Sequence, residues 1–169
     1  KIIYQDFKGY GDALKKGIET VDTEFFCIFN ADGSFNPKEL DLMIKKLKDD
    51  KYDFVFASRY EKNCGSDDDT FITIIGNYIF TYLGKIFFKL KITDILYTFV
   101  MARTSCAKKL ELTSKDFSFC VELPIKAKRA GYKICTNKSY ERSRIAGEKK
   151  VNAFKDGIKI LFSMMKLFF

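Results

Sequence analysis

FFCIFNADGSFNPKEL, residues 25–40, is the stretch on which the fold turns. Phe25 to Phe29 is a continuous apolar run of strand length, the pattern of a strand buried on both faces. Asn30-Ala31-Asp32-Gly33-Ser34 ends it as a polar loop. Pro37 stands where a first-turn proline belongs, and Leu40, Met43, Ile44 and Leu47 give the next helix a buried stripe. A carboxylate just after a buried parallel strand sits at the carboxyl edge of the sheet, where open α/β folds bind ligands. Asn30 and Asp32 offer hard oxygens suited to Mg2+ or Mn2+ bridging a diphosphate. The same residues also suit an Asx turn with Gly33 at positive φ.

Working outward, Asp53–Ser58 (DFVFAS) reads as a second buried strand, and Asp12–Val21 as a helix with Ala13, Leu14, Gly17, Ile18 and Val21 on one side. Ile2-Ile3-Tyr4 reads as the end of a strand, broken from that helix by Gly9-Tyr10-Gly11. Strands and helices in alternation, with short connections, predict a mostly parallel α/β sheet. CGSDDDT (64–70) is a polar loop. Residues 71–90 carry apolar and aromatic side chains at helical spacing, a stripe wide for a helix facing a single core. Leu96–Ala102 and Tyr132–Thr136 read as strands, Phe119–Ala130 as a helix, and Tyr140–Lys150 as a basic loop. Ala153–Phe169 closes the chain as an amphipathic helix.

The 169 residues fit one domain, 1–169, and 47% hydrophobic content suffices for a core. No run of eighteen uninterrupted apolar residues occurs. The absence of histidine excludes Ser-His-Asp chemistry and His-ligated metals. Five cysteines without a C-x-x-C pair suggest neither a zinc ribbon nor a disulfide framework. Cys27, Cys120 and Cys135 read as small buried thiols of a reducing compartment. Charge is uneven: residues 1–84 carry 11 Lys+Arg against 15 Asp+Glu, and residues 85–169 carry 19 against 7. A basic half points to an anionic ligand or surface. No RNA- or DNA-binding motif accompanies it, so nucleic acid is not the expected partner.

Taken in order, KGYGDALKKGIE (8–19), residues 25–40 and YDFVFASRY (52–60) resemble the family-2 glycosyltransferases. Their closest likeness is to polyprenyl-phosphate sugar transferases of the dolichol-phosphate mannosyltransferase type. FCVELPIKAKRAGYKI (119–134) and YERSRIAGEKKVNAFKDG (140–157) resemble that group as well. The resemblance implies a GT-A fold and inverting transfer of a sugar from a nucleotide-diphosphate sugar, with Mg2+ or Mn2+ as cofactor. It implies polyprenyl phosphate as acceptor, with a glycan hydroxyl or an inactive anion-binding domain as alternatives. It also implies a peripheral position at the cytoplasmic face of a membrane, with residues 71–90 and 158–169 against the bilayer. Placed on the family pattern, the chain is expected to be a fragment whose sheet lacks upstream strands.

Residue by residue, the resemblance assigns Asp32 and Asn30 to the metal, Asn30 standing where the family has a first aspartate. Arg59, after the second strand, is expected to face a phosphate; alternatively it caps the strand end against a carboxylate. Glu122 is the acceptor-side carboxylate or a residue favourably placed against a helix dipole. Arg144 is the expected ligand of diphosphate charge, with Arg142, Gly147 and Lys150 in the same basic loop. Asp94, in TDILYTF (93–99), is expected to begin the acceptor half.

Overall fold

A computed structural model of the chain describes residues 1–147 and 150–169. The first nine residues are irregular, and Ile2 and Tyr4 stand 82% and 83% exposed, so the strand end expected at Ile2–Tyr4 does not form. Helix α1 (Tyr10–Thr20) begins where Gly9 and Gly11 let the backbone press against the segment 113–118. A Cβ at Gly11 would lie 2.5 Å from the Ser114 carbonyl oxygen, and the Asp12 amide donates to the Lys115 carbonyl (3.2 Å).

Strand β1 (Phe25–Ile28), a 3-10 turn (Pro37–Glu39), α2 (Leu40–Lys48) and β2 (Phe54–Ser58) follow in the expected order. The proline thus opens a 3-10 turn with Asn36 as its cap, and the α-helix starts three residues later. A two-residue strand β3 (Gly65–Ser66) precedes α3 (Phe71–Phe88), which a Thr70–Thr73 capping box starts and Lys89, in left-handed conformation, stops. Then come β4 (Val100–Arg103), α4 (Thr104–Lys108), α5 (Phe119–Arg129), β5 (Ile134–Lys138), β6 (Tyr140–Glu141) and α6 (Ala153–Phe168).

The four-stranded sheet has the order β1-β4-β2-β5. Strands β2 and β5 are parallel, whereas β4 runs antiparallel to both neighbours, Phe26 facing Ala102 and Val55 facing Met101. Strands β1, β2 and β5 therefore run in one direction, a mostly parallel sheet with β4 as its antiparallel member. Segment 93–99 lies along the edge where β2 ends, with Thr93 bonded to Ser58 and Asp94 to Arg59. The chain therefore enters β4 from the edge at which it left β2. For the same reason β4 starts at Val100 and not at Leu96.

Alternation along the strands divides the core in two. Phe54, Phe56, Val100 and Ala102 pack with Phe119, Leu123, Ile125, Ile160 and Met164 on one face. Val55, Ala57 and Met101 pack with Met43, Leu47, Phe35 and Phe99 on the other.

Helix α3 mixes polar and apolar residues on its inner side and is apolar on its outer side. It buries Asn77, Thr81, Gly84 and Phe88 and presents Phe71, Ile72, Tyr78, Ile79, Tyr82, Ile86 and Phe87 to solvent. Asn77 donates to Asp94 (2.7 Å) and accepts from the Leu96 amide (3.1 Å), and Thr81 accepts from the Ile95 amide (3.2 Å). With 18 residues and Lys85 as its one charge, α3 is long and apolar enough to cross a membrane by length and composition. Helix α6 packs beside it, Phe168 meeting Phe87 and Phe88, and buries Ile160 and Met164 while exposing Phe154, Ile158, Leu161, Phe162 and Met165.

Gly11→Ala is expected to destabilise the fold by about 1–3 kcal/mol, because a methyl group cannot enter the contact with Ser114 and Asp116 without moving backbone. Urea unfolding followed by circular dichroism measures this, and an unchanged midpoint would refute the packing argument.

Candidate active site

A cleft of about 750 Å3 lies at the end of β1 and β2. Asn30, Asp32, Arg59, Arg144, Gly147 and Lys150, all assigned to a site from the sequence, line it. Asp94, Arg142 and Glu122 do not.

The loop after β1 is shaped by Asp32 itself. Its Oδ1 accepts from the Ser34 amide (3.0 Å) and hydroxyl (2.7 Å), an Asx turn. Gly33, at φ +83°, leaves room for Ile145, whose side chain would lie 2.5 Å from a Cβ there. The loop 142–147 docks on this turn through two backbone bonds, Arg142 amide to Ser34 carbonyl (3.0 Å) and Ile145 amide to Asp32 carbonyl (2.7 Å). Arg144 is thereby set against Asp32, its Nη1 3.8 Å from Oδ2. Burial pushes the Asp32 pKa up, but Ser34 and Arg144 together outweigh it and hold the carboxyl below its ordinary value.

Arg144 also grips Asp68 with two bonds, Nε to Oδ1 (3.2 Å) and Nη2 to Oδ2 (2.8 Å). Arg142 points elsewhere. Its Nη2 donates to the Phe35 carbonyl (2.7 Å), so it anchors the loop instead of entering the cleft.

Arg59 forms the floor. Its Nε and Nη2 donate to the two oxygens of Asp94 (2.7 and 3.0 Å), and its Nη1 donates to Glu141 (2.8 Å) and Asp69 (3.3 Å). The guanidinium stacks over Tyr97, 4.4 Å from the ring centre. Arg59 is thus the strand-end cap of the alternative reading, closed in by carboxylates. Asp94, 1% exposed, is its partner and not a ligand of the acceptor. The two guanidinium groups of the cleft face five carboxylates, Asp32, Asp68, Asp69, Asp94 and Glu141.

Glu122 is corrected most sharply. It is 1% exposed and lies outside the cleft. Its Oε1 accepts from the Thr113 amide (2.8 Å) and hydroxyl (2.9 Å) and pairs with Lys126 (2.7 Å), and its Oε2 accepts from the Ser114 amide (2.8 Å). Burial pushes its pKa up, yet Lys126 and these donors prevail and lower it. It ties α5 to the segment that receives Gly11.

Several cleft residues escaped the sequence reading. Asp68 and Asp69 belong to CGSDDDT, where three successive aspartates before an apolar helix were the available signal. Glu141 comes in through β6, which pairs with β3. Tyr10 donates or accepts at Thr98 (2.6 Å) and stacks on Phe117, and burial raises its pKa. No local pattern marks it. The thiols of Cys27 and Cys120 are pushed by burial up to about 12, and Cys135 to about 11, so none is poised as a nucleophile.

Among the described residues no group of three His, Cys, Asp or Glu is arranged to hold a metal. Asp32 and Asn30 nevertheless share the cleft wall with Asp68, Asp69 and Glu141. Mg2+ is ordinarily held by one or two carboxylates with substrate phosphates and water completing its shell, so a carboxylate and an amide oxygen fit it without a full protein cage.

Residues 1–111 match the family described as Glycosyl transferase family 2. Among solved structures, glucosyl-3-phosphoglycerate synthase from Mycobacterium tuberculosis with Mn2+, uridine diphosphate and phosphoglyceric acid superposes with a TM-score of 0.70. Sequence identity is 10%, over 96% of this chain and 55% of that one. The same enzyme with Mg2+ and uridine diphosphate gives 0.69 at 10% identity, over 95% and 55%. A mycobacterial protein gives 0.71 at 11% identity, over 95% and 52%. The chain spans about half the length of these structures, and the likeness is one of fold, the GT-A architecture.

Glu122→Gln is expected to cost about 2–3 kcal/mol of stability, since it strips charge from a buried, multiply bonded acceptor. Activity per folded molecule should stay near that of the parent. A stable variant with activity lost would return Glu122 to the chemistry.

Proposed function

The chain belongs to glycosyl transferase family 2, and from that premise we propose that it moves a sugar from a nucleotide-diphosphate donor to polyprenyl phosphate at a membrane face. The observation that carries the choice of acceptor is the state of the carboxylates. A hydroxyl acceptor needs a general base. Glu122 is sealed away from the cleft, while Asp32, Asp68, Asp69 and Glu141 all lie in ion pairs with Arg59 or Arg144. A phosphate is already an anion at neutral pH and attacks without a base. The solved synthase holds a phosphate-bearing small molecule, phosphoglyceric acid, together with Mn2+ and uridine diphosphate.

In this reading an acceptor oxygen bonds to the anomeric carbon as the bond from that carbon to the diphosphate oxygen breaks. The electron pair leaves with the nucleoside diphosphate. Asp32 and Asn30 would hold Mg2+ or Mn2+, which supplies positive charge to the diphosphate. Arg144 receives charge developing on the leaving group, with Lys150 at the same rim. Because five carboxylates surround the two guanidinium groups, the cation that accompanies a diphosphate would offset their repulsion of it.

The membrane face is supported by α3, whose aromatic side is turned out, and by the matching face of α6. Exposed Lys85, Lys89 and Lys166 border these faces and suit anionic lipid.

The test is release of nucleoside diphosphate from a panel of sugar nucleotides by the full-length protein, with and without polyprenyl phosphate. Turnover should require the lipid phosphate and Mg2+ or Mn2+, vanish in Asp32→Ala and fall about 10²- to 10³-fold in Arg144→Ala. Transfer to a glycan hydroxyl with equal rate would overturn the acceptor assignment.

In a second experiment the protein should float with vesicles containing anionic lipid, and charged substitutions at Ile79 and Tyr82 should release it. Unchanged flotation in that variant would remove α3 from the membrane contact.

A further inference from the structure

A second pocket, of about 450 Å3, opens beside the cleft between Lys8–Tyr10 and the first turns of α6. It shares Lys8, Gly9, Tyr10, Phe117 and Lys150 with the cleft, so the two are continuous. Lys8, Lys150, Lys155 and Lys159 face it against only Asp116 and Asp156.

Both carboxylates are occupied by the fold. Asp156 accepts from the Asn152 amide (2.8 Å), closing the cap of α6, and Asp116 accepts from the Ser118 amide (3.0 Å). Both approach one lysine, Lys159, at 3.8 and 3.7 Å. Among the described residues, Lys8, Lys150 and Lys155 pair with no carboxylate. Lys155 and Lys159 stand one turn apart on the same side of α6, at the positive end of its dipole.

The two cavities therefore differ in charge. The cleft lining sets Lys8, Arg59, Arg144 and Lys150 against Asp32, Asp68, Asp69 and Glu141. The second pocket holds four lysines against two carboxylates and suits an anion alone. A transferase that joins two phosphate-bearing substrates must seat the two anions apart until reaction, and this difference favours it.

We propose that the second pocket is the subsite for the acceptor's phosphomonoester. Lys155 and Lys159 hold its non-reacting oxygens, and the remaining oxygen faces the cleft across Lys150. The assignment rests on the functional reading above, but the binding it describes is independent of turnover. The phosphomonoester is carried by a lipid headgroup or by a soluble acceptor, and the chemistry of the pocket is common to both.

Calorimetry on the full chain tests it with two soluble probes, glycerol 3-phosphate and pyrophosphate with Mg2+. The double substitution Lys155→Gln and Lys159→Gln should weaken glycerol 3-phosphate about tenfold and leave pyrophosphate unchanged. Arg144→Gln should do the reverse, and Lys155→Arg with Lys159→Arg should keep both. Both lysines are exposed, so the fold is expected to survive, as circular dichroism would verify.

Flotation with phosphatidylcholine vesicles carrying either phosphatidic acid or phosphatidylglycerol separates the two sources. A preference for the phosphomonoester lipid that the glutamine variant loses assigns a lipid-borne acceptor. Glycerol 3-phosphate binding without that preference assigns a soluble one. The proposal falls if the glutamine variant binds glycerol 3-phosphate and phosphatidic acid as the parent does, if Arg144→Gln alone abolishes phosphomonoester binding, or if the parent binds neither. Intact phosphomonoester binding with no transfer to any phosphate would instead overturn the function and leave the pocket standing.

Discussion

One buried cation organises the molecule. Arg59 leaves the end of β2 and is met by Asp94 from the segment entering β4, by Glu141 from β6, and by Asp69 from the turn before α3. Three separate stretches of chain are thereby brought to one guanidinium. Its rigid fork suits this role, since three directions of donation fix three partners at once. Removing one partner of such a cluster leaves a buried charge uncompensated, which is why the ends of β2, β4 and β6 depend on the same side chain. The antiparallel insertion of β4 follows from it, because Asp94 must return to the edge that Arg59 occupies.

A second constraint is laid over the first. The Asx turn of Asp32 receives the 142–147 loop through backbone bonds, so Asp32 and Arg144 are positioned by main chain and then tuned by each other's charge. The cleft is consequently a place where each of Asp32, Asp68, Asp69 and Glu141 has a guanidinium neighbour.

Much of this was legible in the sequence. The apolar run 25–29 with its polar loop, the run 54–58, and the stripes of 12–21, 119–130 and 153–169 gave elements within a few residues of their observed limits. Periodicity records which side chains alternate, and so it locates strands without giving their direction; β4 was found, and its orientation came only with the fold. The short pieces, α4, β3 and β6, are fixed by contacts with distant segments and carry no pattern of their own. At the site, the loop residues Asn30, Asp32, Arg144, Gly147 and Lys150 were recognisable because spacing from a strand or a motif order marks them. Glu122 was misread for a physical reason. A carboxylate among apolar neighbours signals either chemistry or a satisfied structural acceptor, and the donors that decide, Thr113 and Ser114, lie beyond the helix that contains it. Arg59 and Asp94 were singled out separately, as a phosphate ligand and as the start of the acceptor half, and their pairing across the fold was invisible.

The short distance between Asp69 and Phe71 has a mechanical meaning. Helix α3, at 18 residues, is about 27 Å long. Its first turn begins immediately after a carboxylate clamped by Arg59 and Tyr60. A tilt of about 10° about the far end would carry that turn by about 5 Å, well past the reach of a hydrogen bond. The helix is therefore a lever whose moving end is set in the cleft. Whatever presses on its aromatic side bears directly on the geometry of the charges at its root.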